Sequence, residues 1–432
     1  MSRNAHADAL ITFLNASPTP FHAVEAAANR LLAAGAVQLD EKEIWNLKAG
    51  QTAFLTRNGS SIVAIRMPTD VSKPRFRIVA AHTDSPCLKF KPRSPDPSAN
   101  YRQWGVEVYG GVLFNSWLDR DLGVAGRVVR LDGGILKTVL VRTEANPIRI
   151  PQLAIHLDRG VNESGLVLNA QRHLQPVLGL VDPAGPGRFT GKSLEGWLEE
   201  TIGAPFESLA FELHLYDTSP AGYGGFDDEF IFSGRLDNLA MSHAALEAFC
   251  SEAPARETIQ VAALFDNEEV GSTSAQGANS NLIETVLERT MLALGRTREE
   301  AMAALARSLL ISADMAHAIH PNYPEKHEPY HYPLINQGPV VKGNAGLRYA
   351  TNAETAARFR YLCARMGVPV QEFINRADLA CGTTIGPHVA AALGIPTVDV
   401  GNPMLSMHSA REMCGSEDHG MMIRVLREFY SE

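Results

Sequence analysis

The chain has 432 residues, 45% hydrophobic and 20% charged, a balance that suits one large domain with an insertion, or two domains. Acidic residues outnumber basic ones, 48 to 39, and no lysine- or arginine-rich stripe occurs, which argues against nucleic acid as a partner. No stretch approaches the apolar length of a membrane span, the N-terminus lacks a signal-peptide core, and the five cysteines are scattered without a CxxC pair; the reading is a soluble cytoplasmic protein with reduced thiols.

In chain order, residues 1–35 carry apolar side chains at helical spacing, interrupted at SPTP. RFRIVAA (75–81) reads as a short buried strand. From about 92 to 235 the chain turns rich in glycine and proline, with alternating runs such as GRVVRL and ILKTVLVR and few long helical patterns. KPRSPDPSAN (91–100) marks an exit from the first unit and SGRLDN (233–238) the return. TIQVAALF (258–265), LLISAD (309–314) and PTVDV (396–400) read as further buried strands, with helices over roughly 238–252, 279–309 and 352–366. The expected architecture is α/β: a mostly parallel sheet built from residues 1–91 and 236–432, interrupted by a β-rich domain over 92–235.

Several apolar strands run directly into a group able to bind metal or move a proton. RIVAA leads into His82-Thr83-Asp84, VAALF into Asp266 and the Glu268-Glu269 pair, LLIS into Asp314, and PTVDV into a loop holding His408. Asp237, in GRLDN, stands at the start of a helix. In open α/β sheets ligands bind beyond the carboxyl ends of strands, so groups distant in sequence can meet there. Two histidines and three carboxylates suit a pair of divalent ions such as zinc. In that arrangement one of two adjacent glutamates ligates metal while its neighbour takes a proton from the attacking water, and Asp84 fixes the tautomer of His82. Taken singly, each element has a duller reading: HxD is often incidental, an EE pair usually solvated, Asp237 a helix cap and His408 a buried core histidine. Their shared place at strand ends favours the site.

These residues lie in longer motifs, SPTPFHAV, AAHTDSP, RLDN, FDNEEVGS, CGTTIGP and SMHSAREMCG, which run in order along nearly the whole chain. In them the sequence resembles the aspartyl aminopeptidases, di-zinc metallopeptidases that include the vacuolar aminopeptidase of yeast. The resemblance implies a catalytic domain split by a dimerisation domain and two zinc ions per subunit. His82 and Asp314 would hold one ion, Glu269 and His408 the other, with Asp237 bridging; Glu268 would be the general base and Asp84 the group orienting His82. It further implies release of single N-terminal residues, preferably Asp or Glu, from peptides with a free N-terminus. Lys342 in VVKGNAGLRYA stands where the family places a lysine for the acidic side chain, with Arg348 a second candidate. His156 in IPQLAIHL matches a histidine that the family lends to a neighbouring subunit, the alternative being packing within a strand. Dimers assembled into a tetrahedral dodecamer are the implied partners.

The remaining motifs receive structural readings. Asp119 and Asp121 are expected to stabilise the domain junction, Cys381 to shape a wall rather than act as nucleophile, and the histidines of HAIHPNYPEKHEPYHY (317–332) to belong to a structured loop. Competing functions are the same chemistry on neutral N-terminal residues such as Leu, deacylation of N-acylated amino acids, and a non-catalytic assembly protein of the same fold.

Overall fold

The four central strands, Thr258–Phe265, Arg75–His82, Leu309–Ala313 and Thr397–Gly401, are parallel, and nearly all of their side chains are buried. Burial on both faces explains their near-continuous apolar runs. In the computed structural model of the chain, which describes residues 4–93, 99–143, 145–181, 194–203 and 208–432, they form the middle of a nine-stranded sheet. Thr52–Arg57 and Ser61–Arg66 extend one side antiparallel, and Val340–Gly343 and Gln371–Ile374 extend the other. Alternation divides the core: Val79, Ala81, Ala262 and Leu264 face one apolar cluster, while Ile78, Ala80, Val261 and Ala263 face another.

The interruption at SPTP separates helices Ala5–Ala16 and Pro20–Ala33, with Pro at the first helical position of the second, where its missing N–H costs no hydrogen bond. The helix expected over 279–309 is two helices, Leu282–Ala293 and Arg298–Ala306. Gly295, at φ +70°, ends the first, and a reciprocal cap between Thr297 and Glu300 starts the second.

The chain divides into two compact units, Met1–Asp84 with Ala221–Met407 and Glu412–Glu432, and Ser85–Pro220 with His408–Arg411. The divisions fall at 84/85 and 220/221 rather than 91/92 and 235/236. The return comes early because Gly222–Gly224 and Phe230–Ser233 join a sheet with Glu412–Gly415, Pro403–Leu405 and Ala316–His317 in the first unit. Residues 94–98 of the expected exit segment lie outside the described residues. The second unit carries an antiparallel five-stranded sheet in the order Val106–Tyr109, Cys87–Phe90, Ser208–Asp217, Leu122–Asp132, Ile135–Arg142. Among the described residues no helix is long and apolar enough to cross a membrane.

Candidate active site

Register brings the site together. Phe265 pairs with His82 and Ser312 with Ala80, so His82, Asp266 and Asp314 emerge at one edge of the sheet. Asp314 donates its backbone N–H to Val400 O (2.8 Å), and a Cβ at Gly401 would lie 1.8 Å from Asp314 O. Only glycine permits that approach where Asp314 leaves the sheet.

His82 Nε2 lies 3.6 Å from Asp237 Oδ1 and 3.6 Å from Asp314 Oδ1, while Nδ1 lies 3.3 Å from Asp84 Oδ1 and 3.1 Å from Asp84 O. The Asp84 carboxylate also accepts the backbone N–H groups of Glu268 and Glu269, one on each oxygen at 3.1 Å. One fully buried side chain thus aligns the imidazole and the turn carrying both glutamates. Asn267, in the left-handed region at φ +64°, starts that turn, and its Oδ1 accepts from Ser274 Oγ (2.7 Å) and Gln276 Nε2 (2.9 Å). Asp266 is held differently, donating its N–H to Ser61 Oγ and accepting from Asn267 N.

Asp237 opens helix Leu236–Ser251 with non-helical backbone, and its N–H donates to Glu412 Oε2 at 3.2 Å. Asn238 Nδ2 donates to Ala313 O (2.9 Å), tying this helix start to the strand that delivers Asp314. Ser242 Oγ, one turn further on, donates to His82 O at 2.6 Å. Sequence reasoning assigned no role to Asn238, Ser242 or Glu412. Asn238 and Glu412 sit inside quoted motifs, whereas Ser242 carried no signal beyond helical spacing from Asp237.

Among the described residues, His82, Asp237 and Glu269 bring one donor atom each within 4.8 Å of one another. Burial and the surrounding carboxylates raise Glu268 to about 8. Burial, then Asp237, pushes Glu269 well above its ordinary range. Burial opposes charge on His82, but hydrogen bonds to Asp314 and Asp84 outweigh it and hold its pKa well above normal. Burial likewise opposes ionisation of Asp314, yet Lys342 and His82 keep its pKa below the usual carboxylate range. A buried set of imidazole nitrogen and carboxylate oxygens that repel one another without a cation fits a divalent metal such as zinc.

Lys342 is 3% exposed; its Nζ donates to Met315 O (2.8 Å), lies 3.5 Å from Asp314 Oδ2 and sits 5.4 Å from the Tyr349 ring centroid. Arg348 is exposed. His408 falls in the second unit, at φ +68°, with Nδ1 3.0 Å from Gly111 O and its carbonyl accepting from Leu113 N. A side chain at Gly111 would crowd that ring, the added Cβ lying 3.1 Å from Nδ1. His156 lies in an exposed 3-10 turn, Ile155–Leu157, of the second unit, so packing within a strand does not describe it. Asp119 Oδ1 accepts from Gln152 N, and Asp121 pairs with Arg149, all within the second unit.

The sheet and its acidic edge form a candidate metal centre of the kind found in metal-dependent hydrolases. A family model described as aminopeptidase I zinc metalloprotease (M18) matches residues 13–430. The probable M18 family aminopeptidase 2 of Pseudomonas aeruginosa is 46% identical over 423 residues, covering 98% of this chain and 97% of that protein. A cryo-EM structure of the Ape4 and Nbr1 complex matches with TM-score 0.93 at 38% identity, covering 99% of this chain and 85% of that one. A structure of the yeast mApe1 dodecamer matches with TM-score 0.83 at 28% identity, covering 99% and 96%. This chain belongs to the M18 family of zinc aminopeptidases.

Proposed function

We propose that the protein is a di-zinc aminopeptidase that releases single N-terminal residues, preferably Asp or Glu, from peptides. The observation that carries this reading is the buried convergence of His82, Asp237, Glu269 and Asp314 around strand ends, with Glu268 fixed beside them by Asp84. His82, Asp237, Glu269 and Asp314, with His408, would hold two zinc ions. Bound zinc supplies Lewis acidity toward the scissile carbonyl and a lowered water pKa. Glu268 takes the proton of the attacking water and returns it to the leaving amine as the peptide bond breaks. Asp84 accepts from His82 Nδ1, which would leave Nε2, on the side of Asp237 and Asp314, as the nitrogen that binds a metal in place of a proton. Asn238 and Glu412 position Asp237, and Ser242 holds the His82 backbone.

Lys342 is assigned to the carboxylate of the first residue. A preference for neutral N-terminal residues remains the second reading, favoured by the hydrogen bond and ion pair that already engage the Lys342 ammonium. We further assign His156 to the active site of a neighbouring copy in a dodecamer built from dimers, with the second unit as dimerisation domain. Exposed Leu153, Ile155 and Leu157 flank His156 in sequence and supply apolar surface for such a contact. The mApe1 relative is itself a dodecamer. Five cysteines, none in a disulfide, favour the cytoplasm.

The test is a panel of matched peptides beginning with Asp, Glu, Leu or N-acetyl-Asp, incubated with zinc-loaded protein and read by mass spectrometry. The expected result is release of Asp and Glu well ahead of Leu. Faster release of Leu would establish the second reading, cleavage of only the acetylated peptide would replace both with a deacylase, and no cleavage by assembled protein would point to a non-catalytic role.

A further inference from the structure

The histidine-rich loop over 317–332 lines a solvent-open cavity of about 320 Å³ that the proposed mechanism does not use. Its lining includes His317, His320, Lys326 and His327 from the loop, and Phe373 and Arg376 from the neighbouring strand and its exit. The volume lies in the range of sites that take a whole small ligand rather than one side chain.

The loop fixes the protons on two of these rings. The backbone N–H of His320 donates to His327 Nε2 at 3.0 Å, so a neutral His327 carries its proton on Nδ1. The backbone N–H of Asn322 donates to His320 Nδ1 at 3.2 Å, so His320 carries its proton on Nε2. Each ring is therefore a hydrogen-bond donor through its remaining nitrogen. Burial, then the neighbouring His320, lowers the pKa of His327 and keeps it neutral near pH 7. Of the lining charges, Arg376 is held by Asp378 through two contacts at 2.7 and 2.9 Å, and Glu328 by His331 at 2.7 Å. Lys326 makes no ion pair within 4.0 Å among the described residues, and the carboxylate its charge reaches, Asp378, is already paired with Arg376. Two oriented N–H donors and one ammonium suit a carboxylate. A metal suits them less, because His320 Nδ1 and His327 Nε2 already accept backbone hydrogens.

The cavity adjoins the proposed catalytic edge through residues of the same unit. Ala316–His317 is the strand that follows Asp314 after a single intervening residue. Phe373 packs edge-on against both His317 (5.8 Å between centroids) and Tyr349 (6.5 Å), and Tyr349 lies beneath Lys342. A row of rings thus leads from the lysine assigned to the first residue to the cavity wall.

We infer that this cavity is a second carboxylate subsite, lined by His320, Lys326 and His327, which holds the peptide beyond its first residue. Its occupant is the C-terminal carboxylate of a short peptide or an acidic side chain downstream of the cleaved bond. The inference uses the aminopeptidase reading only for the identity of the ligand. The test is calorimetric binding to zinc-loaded Glu268→Gln protein, with turnover by wild-type protein measured in parallel. One arm compares Asp-Ala-Ala with its C-terminal amide; the other compares Asp-Ala-Asp amide with Asp-Ala-Asn amide. A preference for the carboxylate of about tenfold in either arm is expected, and the arm in which it appears names the source. Lys326→Ala should bring that ratio toward one, and Lys326→Arg should restore it. Equal Kd values within both arms overturn the subsite, as does a preference that survives Lys326→Ala together with His327→Ala. Discrimination in Kd without turnover by the wild type would keep the subsite and reject the proposed activity.

Discussion

Two regions of the first unit are rich in histidine and carboxylate, and they differ in how their polar atoms are held. At the strand ends, His82 is 1% exposed and its ring nitrogens face carboxylates on both sides. In the loop over 317–332, one ring nitrogen of His320 and one of His327 accept backbone N–H groups, and His331 pairs with Glu328 three residues earlier. The first arrangement concentrates negative charge in a buried space and is relieved by a cation. The second satisfies itself locally and presents donors. Histidine content alone does not separate them; the partner of each nitrogen does.

The comparison can be broken most sharply at Glu268. Glu268→Gln removes the proton acceptor while keeping shape, and kcat should fall by about 10² to 10⁴ with zinc content unchanged. Unaltered kcat would remove Glu268 from the chemistry. Asp84→Asn should cost about 10- to 100-fold in activity or zinc affinity, because Asp84 holds both His82 and the two glutamate N–H groups. An effect confined to thermal stability would reduce Asp84 to a scaffold role.

In the second unit, Leu157 is 74% exposed beside His156, and Leu157→Asp should shift the protein to smaller species in light scattering. Activity should fall in step, since His156 would act across that contact; full activity in the small species would separate His156 from catalysis.

The smallest effect concerns the framework that both regions share. His243 Nδ1 and His419 Nε2 lie 2.8 Å apart in the core. Burial, then His419, Arg30 and His6, depresses His243 well below its ordinary value, and burial, then His6, lowers His419 to about 3. Below the unfolded value near 6.5 the unfolded chain binds more protons than the folded one, so stability falls as pH drops from there toward 3. Each such proton contributes about 1.4 kcal/mol per pH unit. Denaturant titrations between pH 7 and 5 should show this loss, and His419→Phe should flatten it; a flat wild-type profile would contradict the buried neutral pair.

The sheet was legible because strands buried on both faces write continuous apolar runs, and the groups following those runs share an edge once the strands are parallel. Less legible were features set by tertiary register. Gly222–Gly224 and Phe230–Ser233 read as part of the insertion until their pairing with Glu412–Gly415 places them in the first unit. The break near Gly295 is marked locally only by that glycine and the Thr297–Glu300 cap, short signals within a stretch otherwise made of helix-forming residues. In the site, His82 and Glu268 announce themselves by residue type, while Ser242 and Glu412 work through backbone atoms of other residues and leave no local pattern. The cavity under the loop depends on which nitrogen of each ring is occupied, which sequence does not encode locally.

The most direct measurement is zinc stoichiometry by native mass spectrometry on wild-type protein, His82→Ala and His320→Ala, each checked for folding by circular dichroism. The account predicts two zinc ions per subunit in wild type and in His320→Ala, and fewer in His82→Ala. Retention of both ions by His82→Ala, with loss in His320→Ala, would place the metal centre in the loop and contradict it.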